Sequence, residues 1–224
     1  MPVGRNKSRP PEKAATKKRR RQKSSEDPAG YTKIMEAVKV LLAEKGFQDI
    51  TWGEIARAAG VSEALIYQYF KTRQGLLYSV LAEYLEYYKT IILNKVDEAD
   101  GSLNKVRALI YGLLSVYGGN RVFARILLLE VRNFQDYFES EAYAITREFG
   151  LKYLTTLEEG VKSGHIRADI PPTRMRQVLL GGVEHAILPY VIFQRHLDLD
   201  KLAGEITPLL MDAIRPRVAG PATD

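Results

Sequence analysis

From Tyr31 onward the apolar residues of this chain recur with a helical period. Ile34, Val38, Leu41 and Leu42 fall at i, i+4, i+7 and i+8, the buried face of one amphipathic helix, and Gly46, just past Lys45, is placed to cap it. A second, short helix is predicted after Ile50. Thr51 serves as its N-cap, Glu54 completes a capping box, and Ile55, Ala56 and Ala59 form the inner face. Gly60-Val61-Ser62 reads as a tight turn, with Gly60 taking a positive φ and Ser62 capping a third helix over about 63–70. A much longer helix starts near Thr72 or Arg73 and carries a wide apolar stripe: Leu76, Leu77, Val80, Leu81, Tyr84, Leu85, Tyr88, Ile91 and Ile92. Further helices are expected over 103–117, 121–131, 140–163, 173–195 and 199–214, separated by Gly118-Gly119-Asn120, Gly164 and Pro171-Pro172. No stretch alternates with period two, so the fold class is all-α.

Composition changes the picture at the N-terminus. The 224 residues are 46% hydrophobic and 27% charged, enough apolar material for a real core. The formal charge is +6, yet residues 1–24 hold ten basic side chains against the single acid Glu12. The rest of the chain is therefore net negative. Residues 1–29 lack large apolar side chains and are expected to be a mobile basic arm, with Lys17, Lys18, Arg19, Arg20 and Arg21 as its densest run. The complete lack of cysteine excludes disulfides, thiolate metal sites and a cysteine nucleophile. His165, His185 and His196 are scattered without metal-ligand spacing, so no metal and no cofactor are expected. No apolar run is long enough for a bilayer, and no signal-peptide pattern follows the basic segment, which points to a cytoplasmic protein without a membrane partner. With no nucleophile–base spacing and no phosphate loop, an enzyme is not expected.

Two short helices joined by a glycine turn are what a helix-turn-helix needs, its second helix entering the DNA major groove. Ala56 and Ala59 allow close approach, while Ile66 and Phe70 face inward. Ala64, Leu65, Tyr67, Gln68 and Tyr69 are left to the groove and its flanks. The run Ala43-Glu44-Lys45-Gly46-Phe47, Thr51, Ile55-Ala56, Ala59-Gly60-Val61-Ser62, Ile66-Tyr67-Gln68-Tyr69-Phe70-Lys71 and Leu76-Leu77 resembles the TetR family of transcriptional repressors. That resemblance implies phosphate contacts from Thr51, Ser62, Tyr67, Tyr69 and Lys71, with Ala64, Leu65 and Gln68 near base edges. The chemistry agrees: hydroxyls at helix N-termini suit phosphate oxygens, and Gln68 suits adenine. Where the family usually has a basic residue after the cap serine, this chain has Glu63, expected to face solvent rather than cytosine N4. A rival reading is a DNA binder driven by the basic arm and blind to sequence.

Most of the chain lies beyond this head, and in the TetR family that region dimerises and binds a small molecule. Gly181-Gly182, Leu179, Leu180, Val183, Ile187, Leu202, Ile206, Leu209, Leu210 and Ile214 are expected to pack against a second copy, the homodimer that a palindromic DNA operator demands. The expected domains are a head over 30–77, a ligand-binding and dimerisation domain over 78–216 and a tail over 217–224. Candidate ligand residues are the aromatics Tyr88, Tyr111, Tyr117, Phe123, Phe134 and Tyr143 with Leu127, Arg125, Arg132 and His185. Glycines 112, 118, 119 and 150 are expected to leave gaps between helices. The segments 128–132, 157–166 and 176–181 are similar, more loosely, to TetR-type repressors of fatty-acid degradation. This implies an apolar tunnel and an acyl-CoA or aromatic-CoA effector, with another hydrophobic small molecule as the alternative.

Overall fold

The structure is a computed structural model that describes residues 28–216. The basic run Lys17 to Arg21 and the tail over 217–224 lie outside the described residues. Among the described residues nine α-helices follow in order: α1 (Pro28–Glu44), α2 (Trp52–Ala59), α3 (Glu63–Phe70), α4 (Arg73–Asp97), α5 (Ser102–Gly119), α6 (Arg121–Arg125), α7 (Glu141–Lys162), α8 (Pro172–Ile192) and α9 (Leu199–Asp212). There is no strand among them. No helix of the described residues is long and apolar enough to cross a membrane.

Local chemistry sets the head, α1 to α3. The Thr51 hydroxyl accepts the Glu54 N–H at 3.2 Å while the Glu54 carboxylate accepts the Thr51 N–H at 2.8 Å, the full capping box. Gly60 stands at φ 66°, as the turn requires. Ser62 accepts the Leu65 N–H at 3.2 Å and opens α3. The α3–α4 corner is tighter than the sequence suggests. Lys71 itself takes φ 60° with ψ −44°, outside the left-handed helical region, a conformation that costs a side-chain-bearing residue roughly 1–3 kcal/mol, and Thr72 caps α4 through the Gly75 N–H at 2.9 Å.

The boundaries differ from expectation in four places. α1 opens at Pro28, inside the stretch read as the arm. Gly46 has φ −66° and is no left-handed cap; it begins a 3-10 turn over Phe47–Asp49. The helix expected over 121–131 breaks after Arg125 into a π turn (Ile126–Glu130) and two 3-10 turns (Val131–Asn133 and Gln135–Glu139). α8 stops at Ile192, three residues short of the expected Arg195.

α4, about 37 Å long at 1.5 Å per residue, belongs to both halves. Its first turns bury Leu76, Leu77, Val80 and Leu81, and its last bury Ile92 and Val96. One continuous apolar cluster runs from Ile34 in the head to Ile214. The glycines expected to leave gaps are mostly filled. A Cβ on Gly112 would meet Ile92 Cγ1 at 3.0 Å, and one on Gly118 would meet Leu197 Cδ2 at 2.9 Å. At Gly150 the Arg176 guanidinium donates to the glycine carbonyl at 3.1 Å. They let side chains and helices approach rather than open a chamber.

A Cβ on Gly75 would stand 2.5 Å from the Phe70 carbonyl oxygen. Gly75→Ala is therefore expected to destabilise the protein by about 1–3 kcal/mol, the range for forced overpacking. The urea midpoint reads this directly, and an unshifted midpoint would show that the corner gives way freely.

Candidate nucleic-acid interface and effector cavity

α3 presents an outward ridge. Ala64, Tyr67 and Gln68 share the i, i+3, i+4 face and are exposed, with Tyr67 61% accessible. Ser62 and Lys71 flank the ridge and are also exposed, whereas Leu65 is half-buried. Ile66 and Phe70 point inward as expected. Tyr69 is half-buried, its ring edge-on to Tyr31 of α1 at 5.7 Å, so it packs the head together more than it faces outward. Thr51 is exposed but donates its hydroxyl proton to Glu54 at 2.9 Å. Ser62, which only accepts, keeps its proton available for a phosphate. Glu63 is exposed, yet its carboxylate leans over the first turn of α2: a Cβ on Gly53 would lie 3.2 Å from Glu63 Oε1. An acid suits that helix N-terminus, which accounts for its place here.

The head's own field is weak. Lys39 pairs with Glu36 and Glu83, and Lys45 pairs with Glu54 at 2.6 Å. Arg73 turns inward and donates to the carbonyls of Phe47 at 2.8 Å and of Ile50, its guanidinium stacked on the Phe47 ring. Lys33, Arg57 and Lys71 remain exposed and without an ion pair among the described residues.

A cavity of about 60 Å³ lies between α4, α5, α6 and α7. Tyr88, Tyr117, Phe123 and Leu127 line it, together with Ile145 and Phe149, neither of which is among the candidate ligand residues. The Tyr88 ring lies tilted against Phe123 at 5.0 Å, and Tyr117 stacks on Phe123 at 6.0 Å. The Asn120 amide donates to the Tyr88 hydroxyl at 2.8 Å. Lys89 stands at the rim, paired with Glu86 and Glu148. Tyr143 belongs to a different aromatic cluster, with Tyr137 and Phe138, and Tyr137 in turn approaches Tyr78 of α4. Phe134 is half-buried beside that cluster and does not line the cavity. Tyr111 is exposed on the opposite face of α5, and His185 is exposed on α8.

The arginines are placed differently from the ligand contacts expected of them. Arg132 holds Glu184 with two bonds of 2.8 Å, and this pairing raises the guanidinium pKa. Arg125 reaches across to α1. Its Nη2 donates to the carbonyls of Leu42 at 2.6 Å and Lys45 at 2.9 Å, while Nε bonds Glu130 at 2.9 Å. The last carbonyls of a helix have no partner of their own and favour a cation, and the last turn of α1 has no basic residue. Arg125 supplies one from another part of the chain. Phe123 and Leu127, one turn apart, face the cavity; Arg125, two residues from each, projects from the other side of the same short segment.

Comparison with known proteins places these features in a family. Residues 34–80 match the family described as bacterial regulatory proteins, tetR family, and residues 81–213 match YsiA-like protein, C-terminal region. The chain belongs to the TetR family of bacterial regulators. It is 24% identical to the fatty acid metabolism regulator protein of Bacillus subtilis over 184 residues, 82% of this chain and 95% of that one. A crystal structure of FadR from Bacillus subtilis in complex with stearoyl-CoA superposes with a TM-score of 0.73 at 24% identity, over 83% of this chain and 100% of that one. AibR in complex with isovaleryl coenzyme A and operator DNA does so with a TM-score of 0.67 at 18% identity, over 81% and 98%. The match of residues 34–80 to this family of regulatory proteins makes the helix-turn-helix a DNA-reading head.

Glu54 gives the head a pH signature. The Lys45 ammonium, then the Thr51 N–H and hydroxyl, hold its carboxyl at about 2, below the ordinary 4.5. A depressed carboxyl stabilises the fold above its unfolded value, and that contribution fades as pH falls from 4.5 toward 2. In thermal melts wild type should exceed Glu54→Gln at pH 7, with the gap closing over that window. A gap independent of pH would contradict the assignment.

Proposed function

We propose that the protein is a homodimeric repressor that binds a palindromic operator through two α3 ridges and is released when a hydrophobic effector enters the cavity. The observation that carries this reading is α6, which lines the cavity on one side and grips the head on the other. At about 60 Å³ the cavity is far below the roughly 300 Å³ or more of an occupied ligand site. An effector can enter only by spreading α4, α5, α6 and α7. Such a ligand binds the spread state better, and that difference shifts the population away from the operator-bound geometry. The apolar lining, and the acyl-CoA molecules held by FadR and AibR, favour an acyl-CoA effector. Lys89 at the rim is the cation nearest to hand for its anionic part.

Dimerisation falls on a narrower face than the one expected from the sequence. Leu179, Val183, Ile187 and Ile214 are buried within the chain itself, and Gly182 receives the Leu210 side chain. Val178 and Leu209 stay exposed, next to Gly181 and the half-buried Ile206. These form the apolar face offered to a second copy. A regulator of bacterial DNA works in the cytoplasm.

Operator fragments selected from genomic DNA, followed by anisotropy, test the reading. Specific binding that palmitoyl-CoA abolishes is expected; no preference for any fragment at low salt would sink it. Because the head carries few free cations, the arm should supply the affinity that is blind to sequence. A chain starting at residue 25 is expected to bind all sequences more weakly and to show a shallower dependence on salt, by about 0.9 in log–log slope for each phosphate that the arm would otherwise neutralise. An unchanged slope would leave the arm without a role in binding.

A further inference from the structure

A second concavity, about 730 Å³ and open, lies between α5 and α9 with the end of α4 at its rim. It is on the far side of α5 from the effector cavity. Asn104, Arg107, Ala108 and Tyr111 line it at i, i+3, i+4 and i+7, whereas Leu113, Val116 and Tyr117 face the other way. It is also separate from the dimer face, since Gly204 and Leu209 are about 140° apart around α9.

Two backbone and side-chain features mark this groove as built. Thr90, Thr146, Thr155 and Thr156 each return their hydroxyl to the carbonyl four residues earlier, the usual habit of a helical threonine. Thr207 does not. It is only 9% exposed, lines the groove, and its hydroxyl has no hydrogen-bond partner. One residue on, Pro208 sits inside α9. Having no N–H, it leaves the Gly204 carbonyl without its helical donor, and both residues line the same groove. The freed carbonyl belongs to exposed Gly204 and opens on the groove, one turn of α9 from the enclosed Thr207 hydroxyl, over an apolar floor of Ala108, Ala203 and Met211. Lys95 and Arg107 add exposed positive charge at the rim without an ion pair among the described residues; Arg215 adds a third cation, bound to Asp212 at 3.0 Å, and Asp200 is the one acid in the lining.

We infer that this groove is a second small-molecule site, taking an amphiphilic anion. Its acidic group meets Lys95 and Arg107, its aryl or short acyl body lies on the apolar floor against Tyr111, and a hydroxyl or amine group on it donates to the Gly204 carbonyl. The site does not rest on the identity of the effector, and its failure would leave the operator reading untouched.

The probe is 1-anilinonaphthalene-8-sulfonate, an aromatic sulfonate with one N–H, titrated by fluorescence into the full chain, with the variants separating this groove from the other cavity. Lys95→Glu/Arg107→Glu, both changes on the surface, should weaken binding at least tenfold. Pro208→Ala, which returns an N–H to Gly204, should weaken it at least threefold while raising or preserving the melting temperature. Thr207→Val, which removes only an enclosed hydroxyl, should leave probe affinity within twofold. A merely structural role for Pro208 would move the melting temperature and leave probe affinity alone. If the wild type fails to bind the probe below millimolar concentration, or if the charge-reversed and Pro208→Ala chains bind within twofold of wild type, the site does not exist.

Discussion

The head of this regulator is held by carbonyl groups that its own helices cannot satisfy. α1 ends at Glu44 without a cation in its last turn, and the connection to α2 crosses Lys45 to Ile50 before the next helix can begin. Two arginines from elsewhere close that gap. Arg125 of α6 takes the carbonyls of Leu42 and Lys45; Arg73 of α4 takes those of Phe47 and Ile50. Hydrogen bonds from a charged donor to buried backbone are among the stronger ones available, and a carbonyl left behind after their loss carries its full desolvation cost. The angle of the reading head is therefore set by helices that belong to the rest of the molecule.

That arrangement ties regulation to packing. α6 is one and a half turns long and gives way at once to a π turn, a weak point in a helix and a frequent sign of function. Phe123 and Leu127 sit in the wall of a cavity of about 60 Å³, on the same short segment that bears Arg125. The Arg125 side chain is also anchored to Glu130, whose second oxygen is buried and unpaired. A shift of α6 would alter the bonds that Arg125 makes to Leu42, Lys45 and Glu130 together. On the DNA side the head offers shape and three uncommitted cations, Lys33, Arg57 and Lys71, while Lys39, Lys45 and Arg73 are engaged in holding it together.

What was legible in the sequence obeys local rules. The Thr51 capping box, the positive φ of Gly60, the Ser62 cap and the inward Ile66 and Phe70 all act within four residues of themselves, so spacing alone reveals them. Tyr88, Tyr117, Phe123 and Leu127 were recognisable because a cavity between helices needs large apolar side chains at helical intervals. The rest depends on partners far along the chain. Arg125 bonds residues 80 and 83 positions away, and Arg132 pairs with a glutamate 52 positions away. Nothing in spacing separates such arginines from ligand-binding ones. The glycines misled for a related reason: whether a missing Cβ leaves a hole depends on what fills it, here Ile92 at Gly112 and Leu197 at Gly118. In the same way the faces of α8 and α9 read as one apolar surface until the fold divides them between core and exterior.

Regulation by this route requires Arg125 to carry the signal from the cavity to the head. Palmitoyl-CoA affinity, measured by calorimetry, and operator affinity with and without saturating palmitoyl-CoA should be compared for wild type and Arg125→Gln. The variant is expected to bind palmitoyl-CoA within about threefold of wild type, yet its operator affinity should fall less than threefold on adding it, where wild type falls by tenfold or more. A variant released from the operator as completely as wild type would contradict that role.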